Sequence, residues 1–470
     1  MAPRGGVRAV SERYDVAVVG AGVVGCAVAR EFSRYRLRTI LIEARSDLGD
    51  GASKGNSAIL STGSDTPFGT LENRLVTRGH QRYRAEAPAM GLPILSVGSL
   101  TVAWNEAQAA SLAEMHRATV AAGYRSAELV DRDAIYRRVP SLAPGALAAM
   151  WEPEEAIVDP FSTPYAYALD AVTNGVEFRS SSAVSSALRE EAGWTLSTAT
   201  GAVACGLVVN CGGLWGDKVD ALAGLADFAI RPRRGEFMVF DKSARPLLDV
   251  ILKPVPSPTY RGVLMAPTAF GNVLLGPTAE DIDDPDDWRV TRDGLAKLDA
   301  AARAMMPALL DHDVTAIYCG VRPATERPEY RIAAHRDRRW ITVGGIRSTG
   351  LSGALGIAEH VAALAFDGML RAERKAELAP VRVPSLLEGG ERPWRDAARV
   401  ARDPAYGEMV CHCEGVSMGE IRDALASPLA PRTLKALKRR TRAMFGRCQG
   451  FFCGARVQAA FEHASRRAAE

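Results

Sequence analysis

The apolar positions of this chain follow two patterns. YDVAVV at 14–19, TILIEA at 39–44, LVVNCGG at 207–213 and WITVGG at 340–345 are short, nearly unbroken apolar runs. Runs of that kind are strands of a parallel sheet with both faces covered. The first two, with GAGVVGCAVAREFSRY between them, make a strand–helix–strand unit, and the last two end in glycine ahead of a helix. LSVGSLTVAW, GEFMVF and NVLLGPTAE instead mix polar and apolar positions, and prolines cluster in PVPSP at 254–258. These suit an antiparallel sheet in a second domain. Helical spacing is found at 104–122 and 291–311. From 371 to 408 the chain is charged, carries prolines and shows no period, as a linker or belt does. Two short amphipathic helices follow, in GVSMGEIRDALAS and PRTLKALKRRTRAM.

At 470 residues the chain exceeds one hydrophobic core, so two or three domains are expected. A net charge of +3 excludes a molecule that binds polyanions with its whole surface. The segment MAPRGGVRAVSERYD has no apolar stretch of the kind a signal peptide needs. No run of about 18 uninterrupted apolar residues is present, so no membrane span is expected. Eight cysteines in such a context fit a reducing cytoplasm rather than a disulfide framework.

Gly20, Gly22 and Gly25 give G-x-G-x-x-G at the first strand-to-helix turn. The first allows a tight turn, the second lets backbone approach a pyrophosphate, and the third lets helix and strand pack closely. The helix N-terminus favours the anion. Glu43 ends the next strand 18 residues after Gly25, where a carboxylate accepts from ribose hydroxyls. These residues alone do not separate FAD from NAD. The second strand–glycine stretch, WITVGGIRSTGLSG at 340–353, favours a flavin, whose ring extends into a second region and meets a helix N-terminus. GASKGNSAIL at 51–60 is placed to thread under such a ring, with Ser53, Asn56 and Ser57 either as donors to it or as turn caps.

Four of the cysteines crowd the last sixty residues: Cys411 and Cys413 in CHC, then, after a gap of 34 residues, Cys448 and Cys453 in CQGFFC. Two close pairs brought together make a four-thiolate site for zinc or an iron–sulfur cluster. A flavin tips the choice toward iron–sulfur, because a two-electron donor gains from a one-electron relay. The neighbouring run LKALKRRTRAMFGR holds Lys435, Lys438, Arg439, Arg440, Arg442 and Arg447. It neutralises the cluster, docks an acidic acceptor protein, or is a solvated helix face. A nucleic-acid-binding tail is disfavoured, since Phe445, Phe451 and Phe452 follow the ligand spacing and are expected to shield the cluster.

DVAVVGAGVVG, SKGNSAIL, VVNCGGLWGD, RPRRGEF, the GVRPA of CGVRPATERPEY and GGIRSTGLSGALGIAEHV together resemble the D-amino-acid oxidase-type FAD-dependent oxidoreductases over roughly residues 12–370. The likeness is strongest to the large subunit of anaerobic-type glycerol-3-phosphate dehydrogenases and to L-2-hydroxyglutarate dehydrogenases. VCHCEGVS and TLKALKRRTRAMFGRCQGFFC resemble the [2Fe-2S] module of bacterioferritin-associated ferredoxin type. The fold implied is α/β: a doubly wound, Rossmann-like FAD-binding domain interleaved with an antiparallel α+β substrate domain, plus a small helical [2Fe-2S] module. We divide the chain into an FAD domain at 12–64, 150–228 and 330–370, a substrate domain at 65–149 and 229–329, a linker at 371–408 and the cluster module at 409–460.

The resemblance implies flavin contacts from Gly20, Gly22, Gly25, Glu43, Ser53, Asn56, Ser57, Val184, Gly212, Gly213, Gly345, Arg347, Ser348, Gly350 and Leu351. It implies cluster ligation by Cys411, Cys413, Cys448 and Cys453. Relatives bind anionic substrates with arginines over the flavin, and Arg322 and Arg347 stand at the matching positions. A guanidinium forks onto a carboxylate or phosphate and stays charged when buried. The bland alternatives are a salt bridge from Arg322 to Glu326 or Glu329, and a flavin or helix-terminus contact for Arg347. Ser61 and Tyr260, with Arg234, are further candidates for the substrate pocket. Relatives commonly carry a histidine where this chain has Ser61.

The activity implied is oxidation of a small anionic hydroxy compound by hydride transfer to the flavin, with glycerol-3-phosphate first. L-2-hydroxyglutarate or an amino or imino acid is the alternative substrate. Electrons would pass through the [2Fe-2S] cluster to a partner protein or a quinone-linked partner, with no nucleic acid involved. The location expected is cytoplasmic, or peripheral at the inner face of the membrane through that partner. The missing histidine motivates a different class of reading, a non-catalytic flavin and metal redox scaffold.

Overall fold

The structure is a computed structural model and describes residues 13–257 and 261–467. The apolar runs at 14–19, 39–44 and 207–213 become the parallel centre of an eight-stranded sheet. Tyr14–Val19 lies between Thr39–Ile42 and the last half of Gly201–Asn210. The far edge of Gly201–Asn210 is shared. Its first half pairs antiparallel with Gly193–Thr198, and its second half pairs parallel with Trp340–Gly344. Alternation then sorts the side chains. Val16, Val18 and Leu41 face a core built with the helices Val23–Phe32, Leu71–Glu86, Ser162–Thr173 and Gly350–Phe366. Ala17, Val19, Ile40 and Ile42 face a smaller core closed by Trp194 and Trp340.

The second sheet has nine strands and is antiparallel except for Ile251–Pro254 against Ser99–Ala103. Its longest pair, Ile230–Phe240 with Val314–Thr325, carries Arg322 toward the first domain. The helix Arg292–Met305 covers this sheet through Leu298 and Ala302. The two helices expected at 104–122 and 291–311 are found at Glu106–Ala121 and Arg292–Met305. The Asn105 side chain accepts from Gln108 N (2.9 Å) and the Thr291 side chain from Gly294 N (3.0 Å), one cap for each helix.

Two domain boundaries differ from expectation. The segment 65–149, expected in the second domain, contains the helix Leu71–Glu86, which packs on Gly350–Phe366 in the first. A Cβ on Gly79 would sit 2.1 Å from Ser352 O, and one on Gly356 would sit 2.2 Å from Leu75 O, so the two helices cross backbone to backbone. Conversely, residues 150–152, expected in the first domain, lie in the second sheet, where Ala148–Glu152 pairs with Ser99–Ala103.

The segment 371–408 is irregular and is sewn to the first domain. Lys375 N donates to Arg34 O (2.8 Å), Val383 N to Met90 O (2.9 Å) and Ala379 N to the Asn174 side chain (2.9 Å). It is a belt rather than a free linker. The last unit holds a two-stranded sheet and the helices Met418–Leu425, Leu434–Thr441 and Gly454–Arg467 around Val410, Val416, Ile421, Leu437 and Val457. Ser417 and Glu420 form a reciprocal cap at the start of its first helix. No helix among the described residues is long and apolar enough to cross a membrane.

Candidate functional site

A cavity of about 510 Å3 opens where the parallel strands end and their helices begin, the place where open α/β sheets take ligands. Its walls include Gly20, Gly22, Gly25, Glu43, Ser53, Asn56, Ser57, Val184, Gly212, Gly213, Arg322, Arg347, Ser348, Gly350 and Leu351. Gly20 has φ +100°, and a Cβ there would lie 2.4 Å from Cys211 O; a Cβ on Gly25 would meet Gly20 O at 1.8 Å. Both glycines are thus required by packing. Gly345 is not in the wall. It turns the chain behind the cavity at φ +65°, with a Cβ 2.8 Å from Glu329 O.

Glu43 is half-buried and already engaged. Its two oxygens accept from Ala21 N (2.7 Å) and Arg45 N (2.8 Å), and burial raises its pKa above the usual carboxylate range. It therefore shapes the glycine turn while facing the cavity. The Ser53 hydroxyl accepts from Val23 N (2.9 Å), capping the first helix at the anion end. Asn56 braces its own loop, donating to Ser53 O (2.6 Å) and accepting from Ala58 N (2.6 Å). This is the turn-capping arrangement. The loop is pressed onto the strand Val314–Thr325, where a Cβ on Gly320 would lie 1.9 Å from Gly55 O. Tyr318 donates to Asn56 O (2.7 Å) at the same contact.

Arg322 reaches the cavity from that strand and donates to Thr278 O (3.0 Å). Glu326, one of the two acids weighed as its partner, pairs with Arg331 (3.2 Å). Arg347 has φ +52° and its guanidinium pairs with buried Glu72, which also accepts from Thr349 (2.8 Å). Arg347 is thereby pinned at the start of Gly350–Phe366. Arg234 is spent on Glu280 (2.8 Å) and Asp287 (3.2 Å) and is absent from the cavity wall. Tyr260 lies outside the described residues.

Ser61 is buried beside the cavity's far end. Its amide donates to Ser352 (2.9 Å), next to Leu351 of the wall, and its hydroxyl donates to Asp65 (2.7 Å). It opens onto a charge cluster that sequence reasoning missed. Glu155 accepts from Thr62 N (3.0 Å), Ser64 donates to Glu152, and Lys253 reaches Glu152 (3.2 Å) and Glu155 (3.8 Å). Arg261 pairs with Asp65 (2.7 Å). Burial drives the Glu155 pKa up to about 7; Lys253 opposes that shift, while Glu152 and Asp65 add to it. The available signal was a lone lysine inside the apolar strand VILKPV and acids inside MWEPEEAIV.

The four cysteines approach in two pairs, Cys413 beside Cys448 and Cys411 beside Cys453. Among the described residues no three His, Cys, Asp or Glu side chains converge on one point as a single bound ion requires. A Cβ on Gly446 would lie 2.1 Å from that of Cys413, so glycine lets the second pair close on the first. The N–H of Phe452, then those of Gly450 and Phe451, point at the Cys448 sulfur and hold its pKa below the usual thiol range. Paired thiols under a nest of backbone N–H groups fit an anionic two-iron cluster.

The basic run does something other than expected. Arg439 pairs with Asp47 and Asp50 (2.8 Å each) and Arg440 with Asp47 (2.7 Å), with Asp47 and both arginines buried in the contact between the cluster module and the glycine-loop domain. Arg442 pairs with Glu414 (2.8 Å) and lies 3.6 Å over the Phe270 ring. Only Lys435 of the helix Leu434–Thr441 keeps an exposed charge. Phe445 stacks on Phe161 at 5.4 Å, but Phe451 and Phe452 are 84% and 78% exposed and shield nothing.

A parallel-sheet dinucleotide cavity roofed by an antiparallel domain, with a four-thiolate module bolted beside it, defines a flavin-dependent oxidoreductase with an attached iron–sulfur centre. The chain belongs to the FAD dependent oxidoreductase family, whose model matches residues 15–364, and residues 409–463 match the BFD-like [2Fe-2S] binding domain. Its cofactors are FAD and a [2Fe-2S] cluster, and it is an enzyme. It is 32% identical to glycerol 3-phosphate dehydrogenase of Caloramator mitchellensis over 94% of this chain and 93% of that one. It is 27% identical to glycerol 3-phosphate oxidase of Mycoplasma pneumoniae, over 75% of this chain and 94% of that one. The anaerobic glycerol-3-phosphate dehydrogenase of Escherichia coli K12 has a component that is 26% identical to it, over 95% and 88%. The fold resembles that of L-alpha-glycerophosphate oxidase from Mycoplasma pneumoniae with FAD bound, at TM-score 0.74 and 24% identity, over 80% of this chain and all of that one.

Proposed function

We propose that this dehydrogenase oxidises glycerol-3-phosphate to the ketone and delivers the electrons through its [2Fe-2S] centre to a partner protein. One observation carries the substrate: the likeness to the Caloramator glycerol 3-phosphate dehydrogenase spans nearly the whole of both chains, cluster module included. The cavity agrees with it. Arg322 lines the cavity wall, where a guanidinium can fork onto a phosphate.

FAD bound in this cavity supplies the acceptor for the substrate's C–H hydride. The glycine turn and the N-terminus of Val23–Phe32 hold its pyrophosphate, and Glu43 holds the turn. Arg322, oriented by its bond to Thr278 O, anchors the phosphate. Arg347, neutralised by Glu72, fixes the entrance of Gly350–Phe366 rather than competing for substrate. The hydroxyl proton leaves toward the Ser61–Asp65 and Glu155 cluster, where the carboxylates stand in for the histidine that relatives carry at 61.

The test is an anaerobic titration of the purified protein. Glycerol-3-phosphate should bleach the flavin bands stoichiometrically, and L-2-hydroxyglutarate should not. Arg322→Ala should raise the glycerol-3-phosphate needed for half-bleaching at least tenfold, the scale of a lost charged hydrogen bond. Bleaching by the hydroxy acid alone would replace the substrate, and an unchanged titration in the variant would remove Arg322 from its anchoring role.

A further inference from the structure

Part of the flavin cavity's wall is held from outside the flavin domain. The segment 43–57 gives Ala44, Arg45, Gly51, Ser53 and Ser57 to that wall, while Asp47, Leu48, Gly49 and Asp50 do not line it. Those four tie the segment down. Gly49 N donates to Ala21 O (2.8 Å), inside the glycine turn, and Leu48 is buried in the domain's core. Asp47 and Asp50 find partners in the cluster module, Arg439 and Arg440. Asp50 also accepts from Lys54 (3.0 Å), the residue after Ser53, whose hydroxyl accepts from Val23 N at the anion end of the first helix.

Asp47 is 4% exposed, and the two cations that pair with it among the described residues both belong to the module. A carboxylate so deeply buried stays charged only with a cation beside it. Without the arginines it would turn out to water and carry its segment with it. The module's grip depends in turn on its thiolate site. The helix Leu434–Thr441 packs through Leu437 into a core of eight buried side chains, two of them Cys411 and Cys453. A unit this small leans on its metal for folding. Arg442, the first residue past that helix, pairs with Glu414, the neighbour of Cys413.

We propose that Arg439 and Arg440 are positioning residues for the flavin. Acting through Asp47 and Asp50, they keep the segment 43–57 in its FAD-binding position only while the cluster module is intact. Loss of the cluster frees the segment and FAD is released, so the two cofactors are retained or lost together. The coupling is independent of which substrate the enzyme oxidises.

The test follows free-flavin fluorescence as oxidised holoenzyme is diluted without substrate, which gives the FAD dissociation constant. It is repeated after bipyridyl has taken the iron anaerobically, with the thiols kept reduced. Iron removal should weaken FAD binding in wild type by about tenfold or more, within the usual range of coupling between two sites. Arg439→Ala with Arg440→Ala should show that weakening while the iron–sulfur absorption is still present, and iron removal should then add nothing. Asp47→Asn, which keeps the side chain's shape, should behave in the same way. A role confined to stability predicts lower melting temperatures in both variants, with FAD affinity unchanged well below melting. That result overturns the proposal. So does wild type that keeps its FAD after losing iron, or iron removal that weakens FAD binding equally in wild type and variants.

Discussion

Glu155 shows how one residue's environment sets its chemistry. It is buried, faces Thr62, Lys253, Glu152 and Asp65, and its pKa stands at about 7 against an ordinary 4.5. A raised carboxyl favours the protonated folded state. The stability it contributes is complete below about pH 4.5 and is lost as pH rises through about 7. Glu155→Gln should therefore flatten the fall in melting temperature between pH 5 and pH 8; a slope equal to wild type would contradict this. Its proton lies in the working range of a catalytic group, which supports the proposed route for the hydroxyl proton. At this scale the sequence was legible where geometry leaves no alternative. Gly20, Gly22, Gly25 and the four cysteines are dictated by spacing. Glu155 and Lys253 were not legible, because 98 residues separate them along the chain and only the fold brings them together.

Among the elements, the apolar runs at 14–19, 39–44, 207–213 and 340–345 announced the central strands, since a strand covered on both faces has no polar positions. The helix Leu71–Glu86 was not announced. Its buried face mixes Leu75, Val76 and Tyr83 with Glu72, His80 and Arg82, and its partner surface is made by glycines, so the apolar period is interrupted. Gly79→Val should force this helix crossing apart and cost about 1–3 kcal/mol, read as a lower urea midpoint, because the first carbon already overlaps Ser352 O. The basic helix Leu434–Thr441 teaches the converse. Its composition suggested a solvated or partner-facing surface, yet Asp47 and Asp50, some 390 residues earlier, claim Arg439 and Arg440. Arg439→Ala with Arg440→Ala leaves Asp47 buried and unpaired, a loss of about 3–5 kcal/mol for a broken buried pair. Limited proteolysis should then cut near 400 in the variant and not in wild type; equal resistance would show that the belt alone holds the module.

For the whole molecule, these contacts fasten the cluster module to the flavin domain. The belt, the Asp47 ion pairs and the Phe161–Phe445 stack all join the same two surfaces. The central claim is that substrate electrons enter at the flavin and leave through the cluster. Anaerobic stopped-flow mixing of wild type and Cys448→Ala with glycerol-3-phosphate, monitored at flavin and iron–sulfur wavelengths, tests it most directly. In wild type the flavin bands should bleach first and the cluster absorption follow. In the variant the flavin should bleach at an unchanged rate, with no later phase and no reduction of a protein acceptor. A variant flavin that no longer bleaches would make the cluster a structural element, and full acceptor reduction without it would send the electrons out by another route.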